Sequence, residues 1–453
     1  MSTKSILLSI AAMLAAASIA SAQSLLDLPG LLGRQQTRSQ DNAVKVEYDI
    51  DFQYFFDLRA FGASNEIFMS NATLNVARFS PSAMLRFDQG DATHRLALGI
   101  DLTKNLGVNP TSVAVYSDAE HEARLGNIDL MRDIFFYYNY RRRIGKGILD
   151  LYAGIHPRTV LEGDYTRAIF ADDLRYYDPN LEGITFKYSA PRFSAEITAD
   201  LVGKRGVDRV GQEMVFTAGG FKPADWATIG WSASYAHTVG TYLASTDTDF
   251  AVLNPFGRID FGPRIGIQEL SLKAGPLFTY QLDYSMAVKD ENGDYVGDDP
   301  HFPMGAEIIF NVRHWGLGLE NTYYYGDNIN TYRESAYIDI TSADVYAPSL
   351  YTGETFYFTR RSVPTWYDRL ELYWQPLSSD FVKARFSGVG HFITPAGQDP
   401  ADRIGPFIGM QAKATLLFDL DAFRHPRETA SRSRNRGTQS SRSRSSDGPV
   451  LSL

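Results

Sequence analysis

The chain has no cysteine, and this absence removes several kinds of site at once. Without thiols there is no disulfide framework, no thiolate ligand for a metal and no cysteine nucleophile. The eight histidines stand singly along the chain, so no histidine pair has the spacing of a zinc site. We therefore expect neither a bound metal nor a cofactor.

Long apolar runs are also missing once the first residues are passed. Lys4 precedes an apolar run at 6–20, which ends in the small residues 20–22. This is the pattern of an export signal, so residues 1–22 are predicted to be removed and the mature chain to begin near Gln23. No later run reaches about 18 apolar residues. An exported chain of this kind can cross a membrane only with strands.

Net charge is unevenly distributed along the chain. Residues 424–453 carry seven arginines against Glu428 and Asp447, a balance of +5, and the signal adds +1. Subtracting both from the total of −9 leaves −15 for residues 23–423. The Ser/Arg-rich tail, 424–453, is predicted to be disordered, and export argues against nucleic acid as its partner. Residues 23–42 are a polar lead-in, for which the sequence leaves open a short helix, a plug segment or a disordered terminus.

What the chain does contain is a long alternating stretch, Val44 to Leu58, with the sequence VKVEYDIDFQYFFDL. Its even positions are apolar, and its odd positions are polar or charged except for Phe55. A period of two places the two sets on opposite faces of a strand. The stretch is longer than the about 5–6 residues usual in soluble sheets and suffices for a tilted strand of about 9–11 residues across a bilayer.

Similar segments follow along the chain, and short links alternate with longer connections. Dividing 264–288 at Gly275 and Pro276 gives sixteen strands, within a range of fourteen to eighteen. The predicted strands are 44–58, 74–88, 92–103, 128–141, 148–155, 184–188, 193–201, 213–221, 226–237, 264–288 in two pieces, 304–313, 317–325, 366–374, 381–392 and 405–420.

This layout resembles bacterial outer-membrane β-barrels of the porin-like class, over Val44 to Leu420, without pointing to one family. The resemblance implies an all-β fold: a transmembrane antiparallel β-barrel at 43–423 with short periplasmic turns and long extracellular loops. It also implies a Gram-negative outer membrane, periplasmic termini, contact with outer-membrane lipid and lipopolysaccharide, and a possible homotrimer. A soluble β-sandwich alternates as well, but it explains neither the strand length nor the alternation of short and long links.

In such a barrel the polar member of each alternation faces the lumen. The lumen candidates are Lys45, Glu47, Asp49, Asp51, Asp129, Asp133, Arg141, Glu196, Asp200, Asp283, Glu307, Arg313, Arg369 and Glu371. Acids outnumber bases, and carboxylate rings favour cations. Alternatively, the acids pair with the bases across strands and only hydrate the wall.

The richest polar segment lies between two predicted strands, within Gly154 to Tyr188. In porins with this layout an early long loop folds inward, so the resemblance implies a pore constriction here, with arginines facing acids and a tyrosine pair offering a flat surface to a sugar ring. The alternative is an external lid. The constriction candidates are Arg158, Glu162, Asp164, Arg167, Asp172, Asp173, Arg175, Tyr176, Tyr177 and Asp178.

Other motifs are weaker. The acidic stretch 290–299 has Tyr295 where a calcium loop requires glycine. Ser234 and His237 fall on opposite strand faces, which argues against a catalytic pair. Most of the aromatic residues near strand ends are assigned to the membrane interfaces. The set is Trp226, Trp231, Tyr323, Tyr324, Tyr325, Trp366, Tyr367, Tyr373 and Trp374.

These patterns predict a channel for small hydrophilic solutes, cations or sugars, rather than an enzyme. One alternative is a structural or secretion-linked barrel that binds a protein or a cell-wall partner. A barrel hydrolase is the other.

Overall fold

One antiparallel sheet that closes on itself into a barrel of sixteen strands dominates the structure. The computed structural model describes residues 44–61, 72–106, 134–170, 179–202, 211–239, 248–283, 288–289, 295–296, 300–327, 329, 364–379, 381–393 and 406–419. Among these residues, no helix has the length and apolarity needed to cross a membrane.

Asp101 divides the third strand into two pieces, and both pieces pair with the second strand. The strands are β1 (Lys45–Phe61), β2 (Ala72–Gln89), β3 (Ala92–Ile100 and Leu102–Asn105), β4 (Ile134–Ile144), β5 (Gly147–Pro157), β6 (Asn180–Ala190), β7 (Phe193–Val202), β8 (Gly211–Ala224), β9 (Ala227–Val239), β10 (Thr248–Asp260), β11 (Glu269–Asp283), β12 (Met304–His314), β13 (Leu317–Gly326), β14 (Thr365–Ser378), β15 (Val382–Ile393) and β16 (Phe407–Asp419). The smaller elements are a two-stranded ribbon (Val288–Lys289 with Tyr295–Val296) and helical turns at Arg158–Val160 and Gly262–Ile265.

The barrel closes between its first and last strands. β1 pairs with β16 in antiparallel register, with Phe55 opposite Thr415 and Arg59 opposite Gln411. Every other strand pairs with the strands before and after it in the chain. Because the sheet has no free edge, the backbone groups of its strands find partners within the sheet, which a lipid environment requires.

The connections differ in length at the two ends of the barrel. Tight turns such as 145–146 and 191–192 lie at one end, which we call the short-turn end. Longer segments such as 158–179 lie at the other, the long-loop end. Gly90 and Gly145 occupy two of the tight turns with φ of 59°, a left-handed conformation that favours glycine.

The predicted strand number is confirmed, but two of its components are wrong. Residues 264–288 do not form two strands, because β11 runs without a break through Gly275 and Pro276. A Cβ at Gly275 would collide with the carbonyl oxygen of Pro255, so glycine serves here for close strand approach rather than for a turn. The omitted strand is β10, where Pro255 and Gly257 interrupt the apolar alternation. The predicted residues 128–133 lie outside the described ranges.

Side chains are distributed in the opposite way to a water-soluble protein. On β1, Val46 and Leu58 are 69% and 41% exposed on the outer face, whereas Asp57 is 2% exposed on the inner face. Phe55, the exception in the alternation, is buried on the inner face as well. Large apolar side chains remain exposed on the outside of the other strands, and buried charged groups lie inside. This arrangement suits a lipid exterior.

Aromatic rings lie over glycines on neighbouring strands inside the barrel. The ring of Tyr373 covers Gly318, and the ring of Tyr324 covers Gly305. Tyr324, Tyr367 and Tyr373 are buried inside the barrel, so these three of the nine aromatic residues do not belong to the membrane interfaces. The alternation along each strand places these positions on the inner face. The clustering of aromatic residues near strand ends does not show which face each residue occupies.

We expect Gly318→Val to destabilise the barrel by about 2 kcal/mol, because the new side chain collides with the Tyr373 ring. The measurement is the urea midpoint of the folded band in unheated electrophoresis. Gly388→Val is the matched control, since a Cβ at Gly388 meets nothing within 4 Å. Equal midpoints for the two variants would contradict the ring-on-glycine packing.

Candidate functional site: an inward-folded segment

The segment Arg158–Phe170 leaves the end of β5 and lies inside the barrel; we call it the inner segment. It begins with the helical turn Arg158–Val160. Its polar groups then contact inward-facing side chains of seven wall strands, β6, β7 and β9–β13. Contacts with such widely separated strands are possible only for a segment that enters the lumen.

Asp164 ties the inner segment to β10 and β11. Its carboxylate Oδ1 lies 2.7 Å from Lys273 Nζ, and its Oδ2 lies 3.7 Å from Arg258 Nη1. Arg258 also binds Glu269 at 2.8 Å, and Glu269 Oε2 lies 3.9 Å from Arg313 Nη2. These five residues form a chain of alternating charge that carries one more base than acid.

Arg167 begins a second chain of alternating charge on β13–β15. Its Nη2 lies 2.7 Å from Glu320 Oε1, and the same oxygen lies 3.4 Å from Arg369 Nη1. Arg369 Nη2 binds Glu371 at 2.7 Å, and Glu371 binds Arg385 at 2.7 Å. This chain also has one more base than acid. Asp164 and Arg167 carry opposite charges and stand three residues apart, and each ties the inner segment to a different part of the wall.

Thr166 lies between Asp164 and Arg167 in the chain and holds the segment through two hydrogen bonds rather than an ion pair. Its hydroxyl donates to Glu307 Oε2 at 2.8 Å, and its backbone N–H donates to Ser232 Oγ at 3.3 Å. Thr166 and Ser232 are fully buried. Hydrogen bonds to buried partners of this kind hold the segment in one place against the wall.

Glu196 holds the first part of the segment. Its two oxygens accept the backbone N–H groups of Glu162 and Gly163 at 2.9 and 3.0 Å. The Glu162 carboxylate accepts a hydrogen bond of 2.6 Å from Lys187 Nζ. Burial and the nearby Glu196 charge raise the pKa of the Tyr165 hydroxyl well above its ordinary value, so this group stays protonated.

Arg158 pairs inside the barrel at the start of the segment. Its Nη2 lies 3.4 Å from Asp200 Oδ2 on β7, and both side chains are almost fully buried. The guanidinium carbon lies 5.7 Å from the centre of the Phe170 ring, so the two ends of the segment touch.

Apolar packing completes the anchoring. Leu161, Ile169 and Phe170 join a buried cluster inside the barrel, and the Phe170 and Phe216 rings meet edge to face at 5.0 Å. The other described members are Phe61, Ala168, Leu181, Met214, Ala236, Val252, Leu277, Tyr324, Ile329, Tyr367, Ile393 and Ile408. A segment with this much apolar contact is a fixed part of the interior rather than a mobile flap.

The structure brings four of the ten constriction candidates together in the inner segment: Arg158, Glu162, Asp164 and Arg167. The other six candidates, Asp172, Asp173, Arg175, Tyr176, Tyr177 and Asp178, lie outside the described residues. The described partners of the first four are wall residues rather than the acids of their own segment.

Among the fourteen lumen candidates, five acids that lie on inner strand faces are Glu47, Asp49, Asp51, Glu196 and Asp200. Three of them are paired: Glu47 with Arg86 and Arg95, Asp200 with Arg158, and Glu196 with backbone N–H groups. Asp129 and Asp133 lie outside the described residues.

The other two, Asp49 and Asp51, meet Asp419 near the short-turn end. One carboxylate oxygen of each of these three residues lies within 4.8 Å of the others. All three side chains are half-buried. This is a local concentration of negative charge on the wall.

Sequence reasoning missed several wall partners of the inner segment. Lys273 and Arg258 are not among the lumen candidates, because the sequence pattern divides β11 at Gly275 and does not identify β10 as a strand. Asp101 was also missed: its carboxylate accepts hydrogen bonds from Arg78, Ser80 and Asn180. Its inward parity on a long alternating strand was the available signal.

No family model matches the chain, and no curated protein matches it. Several solved structures are similar in fold. They include the Salmonella typhi OmpF complex with daunomycin, at 10% identity over 84% of this chain and 100% of that chain, with a TM-score of 0.43. A BenF-like porin from Pseudomonas fluorescens Pf-5 matches at 11% identity, 83% and 99% coverage, and a TM-score of 0.38. OpdK, an outer membrane protein from Pseudomonas aeruginosa, matches at 10% identity, 83% and 99% coverage, and a TM-score of 0.36. These identities are too low to transfer a residue role.

The architecture itself defines the class of protein. A closed antiparallel sheet satisfies its own backbone, an apolar exterior matches lipid, and a polar interior tolerates water. With sixteen strands arranged in this way, the chain is a porin-like outer-membrane β-barrel.

Arg167→Gln is expected to loosen the inner segment by about 2 kcal/mol, because it leaves Glu320 without its shorter ion pair. Amide hydrogen exchange over 164–170 should then rise roughly thirtyfold. Arg192→Gln, in an exposed short turn, is the control and should leave exchange unchanged. Unchanged exchange in the Arg167 variant would show that this ion pair does not hold the segment.

Proposed function

We propose that this protein is a channel for passive or weakly selective diffusion of small hydrophilic solutes, cations or sugars, across the outer membrane of a Gram-negative bacterium. The observation that carries the proposal is the inner segment, which lies inside a closed barrel and is tied to β10–β13 by Asp164, Thr166 and Arg167. Such a segment narrows the lumen without closing the barrel wall.

We place the constriction at the inner segment and its continuation. Glu162 is its accessible charged group, with 62% of its side chain exposed. The continuation, residues 171–178, supplies the remaining six constriction candidates in this proposal.

The lumen is acidic in one zone of the wall rather than throughout. The two charge chains beside the inner segment each carry an extra base, whereas Asp49, Asp51 and Asp419 concentrate negative charge near the short-turn end. Carboxylates on a pore wall favour cations. We therefore propose a mild cation preference set by this zone.

In this proposal the short-turn end and both termini face the periplasm, and the outer surface contacts outer-membrane lipid and lipopolysaccharide. In this proposal the channel carries out no catalysis. Ser234 and His237 are three positions apart on β9, so their side chains lie on opposite faces of the barrel wall. The barrel is of a kind that can assemble as a homotrimer.

Purified protein reconstituted in a planar bilayer should give stepwise conductance. Deleting Asp164–Asp178 should increase the single-channel conductance, because it removes the inner part of the constriction. Deleting 242–246 from another long connection is the control and should leave the conductance near that of the parent protein. An absence of conductance steps in the parent protein would favour the structural or secretion-linked barrel. Unchanged conductance in the variant without Asp164–Asp178 would contradict the proposed constriction.

The triple variant Asp49→Asn, Asp51→Asn and Asp419→Asn should reduce cation preference. In a salt gradient its reversal potential should move toward zero, because negative charge leaves the pore wall. Asp225→Asn, which removes one exposed carboxylate from a short turn on the other side of the barrel, is the control and should leave the reversal potential near that of the parent protein. An anion preference in the parent protein would overturn the proposed role of this acidic zone.

A further inference from the structure

A row of four rings lies on the inner face of β4 and β5, outside the inner segment. Tyr137 lies 6.0 Å from Tyr152 between ring centroids, and Tyr152 is stacked on His156 at 5.7 Å and 21°. Phe135 continues the row at 6.3 Å from Tyr137. We call this set the ring row.

The four rings differ in accessibility. Phe135 and His156 are buried, whereas Tyr137 and Tyr152 are half-buried and present ring surface to the lumen. Within the described residues neither tyrosine hydroxyl donates or accepts a hydrogen bond. Two accessible rings with free hydroxyls, supported by two buried rings, form a surface that can receive a ligand.

The local backbone and the buried histidine keep this surface in place. Tyr137 pairs with Gly154, so no side chain on β5 occupies the inner face between Tyr152 and His156. His156 is fixed by Thr185 Oγ1 at 2.9 Å and by the Gly154 carbonyl oxygen at 3.0 Å. The Tyr137 ring therefore has room beside Tyr152, on a rigid base.

Charged side chains lie on the same inner face as the two tyrosines. Asp150 stands two positions before Tyr152 on β5, and Arg141 Nε lies 3.5 Å from its Oδ1. Arg95 Nη1 donates to Asn139 Oδ1, two positions after Tyr137 on β4, at 3.3 Å. Glu162 of the inner segment lies 2.6 Å from Lys187 Nζ, and Lys187 is paired with Asp150 across β5 and β6.

We propose that Tyr137 and Tyr152 form a stacking surface for the ring of a neutral sugar passing the inner segment. The C–H face of a sugar ring is apolar and packs on an aromatic face. Its hydroxyls can donate to carboxylates such as Glu162 and can also bond the free tyrosine hydroxyls. An aromatic anion could stack on the same rings, but the carboxylates of Asp150 and Glu162 on this part of the inner surface disfavour it.

This inference rests on the proposed channel function, since it names the solute class that the narrowed lumen accepts. It assigns recognition to wall residues on β4 and β5. The tyrosine pair predicted from the sequence for this purpose, Tyr176 and Tyr177, is a different one. Variants that change only Tyr137 or Tyr152 show which of the two tyrosine pairs binds the sugar.

The first measurement is calorimetric binding of maltotriose to the full-length protein in detergent. Saturable binding is expected, and Tyr152→Leu or Tyr137→Leu should weaken it about tenfold, because a stacked ring is lost. Tyr152→Phe keeps the ring and should weaken binding by less than about threefold. Tyr323→Leu, an outer-face tyrosine, is the control and should bind as the parent does. Heat-dependent electrophoretic mobility checks that each variant is folded.

Sorbitol and benzoate separate the possible ligand chemistries. Sorbitol offers hydroxyls without a ring and should not bind saturably, and benzoate should bind more weakly than maltotriose. Benzoate binding tighter than maltotriose, or equal maltotriose affinity in the parent and both Tyr→Leu variants, would overturn the sugar-ring inference.

Bilayer recordings show whether the sugar-ring inference fails alone or the channel proposal fails as well. Maltotriose should interrupt the open-channel current, with shorter interruptions in Tyr152→Leu. Conductance steps without maltotriose binding would leave the channel proposal intact and refute the ring surface. Maltotriose binding without conductance steps would refute the channel and support the ring surface.

Discussion

The pairing of β1 with β16 is the contact on which the rest of the barrel depends. The two strands lie at opposite ends of the chain, yet their register runs from Asp51 opposite Asp419 to Phe61 opposite Gly409. Without this pairing both strands would expose unpaired N–H and C=O groups, which lipid cannot satisfy. With it, one continuous wall separates an apolar exterior from a polar interior. Closure of this wall gives every strand one face toward the lumen and one face toward the exterior.

The interior is not a uniformly polar tube. Near the short-turn end Asp49, Asp51 and Asp419 lie close together, whereas Asp164 and Arg167 are each held in a chain of alternating charge. An apolar cluster around the inner segment stabilises it further. Removing charged groups from water is costly unless they are paired, so a segment inserted into the lumen must bring partners for the wall charges. The inner segment supplies both signs within four residues.

Much of the wall could be predicted from local sequence, as β1 and its alternation show. The errors occur where local signals have two meanings. Gly275 and Pro276 are turn residues in most contexts, but here glycine permits close strand approach and the proline carbonyl accepts a hydrogen bond from Asn254. The tyrosine run at 323–325 indicates a membrane interface, yet alternation turns Tyr324 inward over Gly305. Parity along each strand was the better guide.

The sequence by itself determined which residues share a strand face, because a period of two depends only on neighbouring residues. It also indicated a segment rich in polar residues after β5. Only the tertiary structure decided which charges meet. Asp164 binds a lysine 109 residues away, Thr166 a glutamate 141 away and Arg167 a glutamate 153 away. No local pattern encodes such separations, since they depend on how far the sheet curves before it closes.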